Sequence, residues 1–183
     1  IQIYDFGSQY TQLIARRIRE LNVYCEIIPF QKFPQLHENV KGVILSGSPF
    51  SVLDENAPMI NMEKVLGEVP ILGVCYGAQL YAHLHGGKVS KTVAREYGRA
   101  YLSNITDNEL LKGIPSNSQV WMSHGDAIEK LPEKCEVICT TSDIPVAAYT
   151  DKVSKYYGVQ FHPEVYHSEH GKILLHNFVV EIC

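Results

Sequence analysis

Short apolar runs recur along the first half of the chain, and each has the length and composition of a β-strand. They lie at residues 1–4, 23–30, 40–46 and 71–74. The third run is almost entirely apolar towards its end, which is typical of a strand covered on both faces. These runs predict the central strands of a buried sheet.

Helical periodicity separates these strands. Ile14, Ile18 and Leu21 fall at i, i+4 and i+7, with arginines off that face, which predicts an amphipathic helix over residues 11–21. Further helices are predicted at residues 58–66, 77–84 and 172–182. The alternation of strands and helices predicts an α/β fold, a flavodoxin-like three-layer sandwich whose mostly parallel sheet carries helices on both faces.

From Gly86 to Ala148 the pattern changes to short β-like pieces separated by turns. They lie at residues 88–93, 98–103, 119–122, 137–141 and 146–149. Such pieces predict a mixed or antiparallel extension of the main sheet. We therefore expect one domain over residues 1–183.

Cys75 stands where the fourth apolar run meets a helix. Its surroundings, Gly73-Val74-Cys75-Tyr76-Gly77, form the thiol version of a nucleophile elbow, in which small flanking residues permit a sharp strand-to-helix turn. A helix N-terminus favours the thiolate, and the N–H of Tyr76 would point to a developing oxyanion. Because a cysteine is also a common small core residue, the elbow alone does not establish catalysis.

A base for this cysteine is offered by His162-Pro163-Glu164, which follows an alternating strand. Proline biases the preceding residue towards an extended conformation, in which residues i and i+2 point to the same side. Glu164 could then orient one ring nitrogen of His162, so that the other faces Cys75. A plain turn after a strand is the alternative interpretation of the tripeptide.

Polar residues follow two other predicted strands. Gly47, after the third strand, is assigned the second oxyanion N–H opposite Tyr76, with a simple turn as the alternative. Gln79 lies one turn beyond Cys75, where a substrate contact and a helix-surface position are both open. The segment Trp121–Asp126 is expected to form a substrate-binding loop, in which His124 is more readily interpreted as a structural histidine than as a second base.

Composition narrows the function classes. The 183 residues carry a net charge of −4 without a basic block, which gives no support for binding to nucleic acid or to a membrane surface. No apolar run approaches the roughly 20 residues of a membrane span, and no signal peptide is visible. Five unpatterned cysteines suit a reducing compartment, so we expect a cytoplasmic protein.

One rival cluster suggests a metal, because it is rich in possible ligands: His162, Glu164, His167, Glu169 and His170. It lacks the helix-borne His-Glu-x-x-His spacing and the paired cysteines of common zinc sites. We therefore predict no metal site.

Taken together, Gly73–Gln79, Ser46–Pro49 and His162–Glu164 resemble the class I (triad) glutamine amidotransferases. Further segments resemble the amidotransferase part of GMP synthetases, namely Asp5–Tyr10, Ile14–Glu20, Arg95–Gly98 and Val120–Asp126. The resemblance runs from end to end. Ser48 departs from it, because the family usually has a second glycine there; a position that required positive φ would strain this serine.

The resemblance implies a glutaminase in which Cys75 attacks the side-chain amide of L-glutamine, with His162 and Glu164 completing the catalytic triad. Ammonia leaves, and water then releases glutamate from the thioester. By the same resemblance, Gln79, Ser123, Gly125 and Asp126 line the glutamine pocket, and Gly47 and Tyr76 supply backbone donors.

The implied partner is an ATP-pyrophosphatase (synthetase) domain or subunit, which adenylates xanthosine monophosphate (XMP) and aminates it to GMP. ATP and magnesium are expected there, and no cofactor is expected in this domain. Two other functions stay open: a non-catalytic glutamine-sensing or docking module, and another cysteine hydrolase, such as one that cleaves γ-glutamyl peptides.

Overall fold

A seven-stranded sheet forms the centre of the chain in a computed structural model, and a separate two-stranded sheet lies beside it. The structure describes residues 1–91 and 98–183 in full, and the side chains of residues 92–97 lie outside the described set. The strands are β1 (Gln2–Asp5), β2 (Glu26–Pro29), β3 (Val43–Leu45), β4 (Ile71–Val74), β5 (Lys88–Tyr101), β6 (Gln119–Lys130), β7 (Glu136–Cys139), β8 (Ala148–Asp151) and β9 (Tyr156–Val159).

The main sheet has the strand order β2-β1-β3-β4-β9-β8-β7. Its first five strands pair in parallel, with the order of a flavodoxin-like sheet, and β8 and β7 are added antiparallel. The predicted α/β fold is confirmed. Because β3, β4 and β9 are neighbours that run in the same direction, the residues that follow all three strands meet at one edge of the sheet.

The helices are α1 (Thr11–Arg19), α2 (Tyr76–Leu84) and α3 (Gly171–His176), and a π-helical segment, Asn177–Ile182, continues α3. Ile14 and Ile18 of α1 share one core with Leu174 of α3. Leu80 and Tyr81 of α2 belong to a second core on the other face of the sheet. Each face of the sheet is thus covered by helix, as the amphipathic patterns predicted.

The helix predicted at residues 58–66 is wrong, because this segment forms turns. Met62 and Val65 are buried, so the apolar spacing was detected correctly. The amide of Leu66 bonds the carbonyl of Met62 at 3.2 Å, but Gly67 then adopts φ +81°, which stops the chain from continuing as a helix.

The second half of the chain differs from the prediction in two respects. Strands β7 and β8 extend the main sheet, whereas β5 and β6 form their own antiparallel hairpin. The expected loop at Trp121–Asp126 lies within β6, where buried and half-buried positions alternate along the strand. Parts of the predicted strand at 88–93 and of the resemblance at Arg95–Gly98 fall on 92–97, outside the described residues.

Within the described part of the chain, no helix is long and apolar enough to cross a membrane.

Candidate active site

Cys75 joins the end of β4 to the first residue of α2, and its backbone is strained. It adopts φ 51° and ψ −100°, a conformation that side-chain-bearing residues rarely adopt and that costs on the order of 1–3 kcal/mol. Its amide donates to the carbonyl of Val159 on β9 at 2.8 Å, and its side chain is only 5% exposed. The strand-to-helix elbow predicted from the sequence is present in the fold.

Gly77 explains part of the glycine pattern around Cys75. A Cβ at this position would lie 2.7 Å from the backbone oxygen of Leu45 on β3, closer than real Cβ atoms approach. The glycine therefore lets the first turn of α2 pack directly onto the neighbouring strand. This contact fixes the helix that begins at the cysteine.

His162 and Glu164 follow β9 and lie side by side in the interior. Nδ1 of His162 lies 2.8 Å from Oε1 of Glu164, and the two residues are 3% and 0% exposed. The backbone of His162 is held on both sides, because its amide donates to the carbonyl of Trp121 at 3.0 Å and its carbonyl accepts from Oγ of Ser168 at 2.6 Å. The two side chains meet as expected from the sequence, although Pro163 and Glu164 lie in a turn and not in an extended segment.

Two opposing effects act on the pKa of His162. Burial lowers the pKa, but the carboxylate of Glu164 and the sulfur of Cys75 together raise it well above 6.5. The imidazolium form is therefore favoured at neutral pH. An imidazolium between a carboxylate and a thiol can stabilise a thiolate and later give a proton to a leaving group.

The ring of His162 is packed by residues near the first and third strands. Tyr10 makes an edge-on contact at a centroid distance of 5.0 Å. Gly47 also lies close to the ring, since a Cβ at this position would lie 3.3 Å from Cε1 of His162 and 3.4 Å from Oγ of Ser8. Sequence reasoning did not single out Tyr10 as a contact of the base, since its approach depends on how the loop after β1 folds back.

The two predicted oxyanion donors belong to different segments, the loop after β3 and the start of α2. Tyr76 is the first residue of α2, so its N–H has no acceptor within the helix. Gly47 is buried beside the histidine, while the neighbouring Ser48 lines the open cavity. Ser48 is absent from the positive-φ residues of the described chain, so the strain considered for it does not arise. The donor roles of Gly47 and Tyr76 remain predictions.

A cavity of about 720 Å³ opens over the sulfur. It is lined by every residue predicted for the glutamine pocket and by both ends of the Cys-His pair: Cys75, Gln79, Ser123, Gly125, Asp126 and His162. Sγ of Cys75 lies 3.9 Å from the carbonyl oxygen of Ser123, which brings β6 directly against the elbow. The volume of the cavity exceeds that of a single amino acid, so the cavity has room for glutamine. The cavity is also open to solvent.

Gln79 is buried at 3% exposure, which excludes the helix-surface alternative. Its Nε2 donates to the backbone oxygen of Asp126 at 2.8 Å and to Oε1 of Gln160 at 3.4 Å. Gln160 also accepts from the amide of Ile128 at 3.3 Å and donates to the carbonyl of Val146 at 2.7 Å. Gln160, which sequence reasoning missed, therefore ties α2 and β6 together beneath the cavity.

His124 lies on β6 inside the cavity wall and is 5% exposed. Burial, and then the positive charge of nearby His162, lowers its pKa from 6.5 to about 4. His124 is thus neutral at pH 7. A neutral side chain is consistent with a structural histidine, the role preferred for His124 from the sequence. The structure also places it near His162, which the sequence did not predict.

Two residues of the rival metal cluster, His167 and Glu169, make contacts with other parts of the chain. The His167 ring packs on Trp121 at 4.7 Å, and Oε2 of Glu169 accepts from the amide of Gln119 at 3.3 Å. Among the residues that the structure describes, no three His, Cys, Asp or Glu side chains are grouped as a metal site would require.

The sequence was also compared with known protein families and proteins. The profile of the family "Glutamine amidotransferase class-I" matches residues 2–182. GMP synthases (glutamine-hydrolysing) of Phocaeicola vulgatus and Cytophaga hutchinsonii are 57% and 59% identical over the whole chain. The chain spans 36% of the length of each of these relatives.

Solved structures of similar fold support the same family assignment. A Thermoplasma acidophilum protein, provisionally assigned as one of the subunits of a GMP synthase, superposes with a TM-score of 0.80 at 30% identity, covering 97% of this chain and 92% of its own. A glutamine amidotransferase of Thermotoga maritima has a TM-score of 0.71 at 22% identity, over 90% of this chain and 76% of its own, and shows the shared fold. With the family profile matching almost every residue and the elbow cysteine in place, this chain belongs to the class-I glutamine amidotransferase family.

Proposed function

We propose that this chain is the glutaminase part of a GMP synthetase, which hydrolyses the side-chain amide of L-glutamine and supplies the ammonia for amination of XMP. The observation that carries the proposal is the strained Cys75 at the start of α2, which lines one cavity with a histidine that Glu164 orients at 2.8 Å. A nucleophile and a base that line one cavity, with an orienting carboxylate bonded to the base, support acyl transfer.

In the first half-reaction the sulfur of Cys75 attacks the amide carbon, and the carbonyl π electrons move to oxygen. The N–H groups of Tyr76 and Gly47 stabilise this oxyanion. The intermediate collapses as the C–N bond breaks and the imidazolium of His162 gives its proton to nitrogen. Neutral ammonia leaves, and a thioester remains on Cys75.

In the second half-reaction the neutral His162 takes a proton from water, whose oxygen attacks the thioester carbon. The C–S bond breaks, glutamate leaves, and the thiolate and imidazolium are restored. The new carboxyl group then loses its proton to solvent, so the sum is glutamine and water converted to glutamate, ammonia and one proton. Glu164 holds the same ring nitrogen throughout and compensates the charge of His162 in the imidazolium states.

Transfer of ammonia requires a second catalytic unit. Relatives named GMP synthase are almost three times as long as this chain, which supports a partner that is a synthetase domain or subunit. That unit binds ATP and magnesium and activates XMP. Because free ammonia release wastes glutamine, we expect the isolated chain to turn over slowly and the partner to raise its rate.

The test is the intact mass of the chain after exposure to a glutamine analogue that carries an electrophilic carbon in place of the side-chain amide. We expect a single label that excess glutamine prevents and that Cys75→Ala abolishes. Glutamate release is then measured with and without the synthetase part of a relative, using glutamine and a γ-glutamyl dipeptide as alternative substrates.

The outcomes separate the three candidate functions. Labelling together with partner-stimulated glutamate release from glutamine supports the proposal. Release from the dipeptide but not from glutamine identifies a γ-glutamyl hydrolase instead. Absence of both labelling and release, even with the synthetase present, identifies a non-catalytic module and overturns the proposal.

A further inference from the structure

Two fully buried tyrosines, one on β8 and one on β9, donate hydrogen bonds to the helix that begins after the nucleophile. The hydroxyl of Tyr156 donates to the carbonyl oxygen of Gly77 at 2.8 Å, and that of Tyr149 donates to the carbonyl oxygen of Ala78 at 2.6 Å. Both acceptors belong to the first turn of α2, within three residues of Cys75. The strands thus bond directly to the part of the helix that carries the predicted oxyanion donor.

Glycines in the sheet make room for these rings. Gly73 on β4 and Gly158 on β9 are partners across the parallel pair, and Tyr149 on β8 is opposite Gly158. A side chain at Gly73 would overlap the Tyr156 hydroxyl, and one at Gly158 would overlap the Tyr149 ring. Gly73 therefore serves more than the turn predicted for it, because its missing side chain also lets a tyrosine reach α2.

We propose that Tyr149 and Tyr156 are positioning residues for the nucleophile elbow, whose hydroxyls fix the first turn of α2 so that the Cys75 sulfur and the Tyr76 N–H keep their reactive geometry. The inference rests on the proposed glutaminase function for its kinetic readout.

The need for such a device follows from the backbone of Cys75. Its φ of 51° and ψ of −100° persist only where the surrounding structure holds them in place. β4 fixes the chain before the cysteine, and the two hydroxyls fix the chain after it. Burial raises the pKa of both tyrosines well above 10, so both remain neutral hydrogen-bond donors across the working pH range.

Tyr81 provides a matched control in the same aromatic cluster. It is buried and stacks on Tyr156 at a centroid distance of 3.8 Å. Its hydroxyl, however, donates to Oδ2 of Asp151 at 2.7 Å and makes no bond to the first turn of α2. Removing this hydroxyl takes one buried hydrogen bond from the chain, as at the other two tyrosines, but leaves the elbow untouched; Oδ2 of Asp151 keeps a second donor, Oγ of Ser154, at 2.9 Å.

The experiment compares Tyr149→Phe, Tyr156→Phe and their double variant with Tyr81→Phe and the unchanged chain. We call the Tyr149→Phe and Tyr156→Phe variants the clamp variants. For each of them we expect kcat for glutamine hydrolysis, assayed with the synthetase part present, to fall roughly tenfold. This loss is smaller than the 10²–10³-fold loss that follows removal of an oxyanion donor. KM should stay within about twofold, since the pocket residues on β6 are unaffected. Tyr81→Phe should lower thermal stability comparably without lowering kcat.

A second readout does not need glutamine turnover. The rate at which iodoacetamide alkylates Cys75 is measured against pH, and the clamp variants should show a slower rate with a shifted profile. Equal kcat and equal alkylation in clamp and unchanged chains, or the same losses in Tyr81→Phe, would overturn the inference. If the unchanged chain fails to hydrolyse glutamine, the proposed function fails, while the alkylation profiles still decide the role of the tyrosines.

Discussion

Oε1 of Glu164 lies 2.8 Å from Nδ1 of His162, whereas Oε2 of the same carboxylate is buried without a hydrogen-bond partner among the described residues. The nearby Arg17 donates to the backbone oxygen of Glu164 at 3.0 Å rather than to its carboxylate. Compensation of the buried negative charge therefore falls mainly on the histidine. This arrangement couples the charge of the base to one side chain.

Glu164→Gln tests that coupling. The carboxylate raises the pKa of His162 against the effect of burial, so its removal should lower that pKa, which an NMR titration of the imidazole would detect. The glutaminase rate should fall on the order of 10²–10⁴-fold, because the imidazolium loses its counter-charge and its orientation. Glu169→Gln, which changes a carboxylate that accepts from the backbone of Gln119, should alter neither. An unchanged His162 titration would contradict this account.

His124 predicts a loss of stability in mild acid. Its pKa is lowered to about 4 in the folded state, so between pH 6.5 and 4 the unfolded chain binds a proton that the folded chain does not. The stabilisation is therefore complete above pH 6.5 and is lost as the pH falls, by about 3 kcal/mol at pH 4. His162, whose pKa is raised, has the opposite sign and loses its contribution as the pH rises through that value.

The measurement is urea unfolding of the unchanged chain and of His124→Gln at pH 7, 6 and 5. The variant should lose less stability on acidification than the unchanged chain, because it lacks the titrating group. His83→Gln, at an exposed position, should keep the acid sensitivity of the unchanged chain. Parallel pH curves for His124→Gln and the unchanged chain would show that other groups dominate.

Periodicity and motif spacing predicted the parallel strands, α1, α2 and the meeting of Cys75 with His162 and Glu164. These features depend on burial and on local backbone preference, which the order of residues carries directly. The helix at 58–66 was predicted wrongly because two buried residues, Met62 and Val65, also fit a series of turns. A short apolar spacing cannot distinguish these two backbones.

The path of β6 shows a different limit. Residues 123–126 looked like a loop because they are polar or glycine, yet they alternate along a strand. Their inward positions, His124 and Asp126, face a polar cavity rather than an apolar core, so the pattern that marks a buried strand is missing where the site is built. Gln160 was not predicted as a site residue, because only the folded chain brings α2 and β6 to its side-chain amide.

Gly47→Ala tests the tight packing beside the base. The added methyl would lie 3.3 Å from Cε1 of His162 and 3.4 Å from Oγ of Ser8, so the ring must move by a few tenths of an ångström. We expect kcat to fall about tenfold, with a change in stability below about 1 kcal/mol. Ser48→Gly should leave both unchanged, because Ser48 does not need positive φ. A gain in activity from Ser48→Gly would instead show that the serine restrains the loop.

Gln160→Leu tests whether Gln160 positions the residues that bind the substrate without affecting the reaction at the Cys75 sulfur. The substitution leaves the carbonyl of Val146 and the amide of Ile128 without their buried partner, which should cost about 1–3 kcal/mol of unfolding free energy. Because Gln79 and β6 lose their shared anchor, KM for glutamine should rise severalfold while kcat changes less. Asn177→Leu is the matched control, since this buried amide donates to the backbone carbonyls of Leu110 and Lys112 and bonds neither Gln79 nor β6. Equal KM values for the two variants at equal loss of stability would mean that Gln160 supports the fold alone.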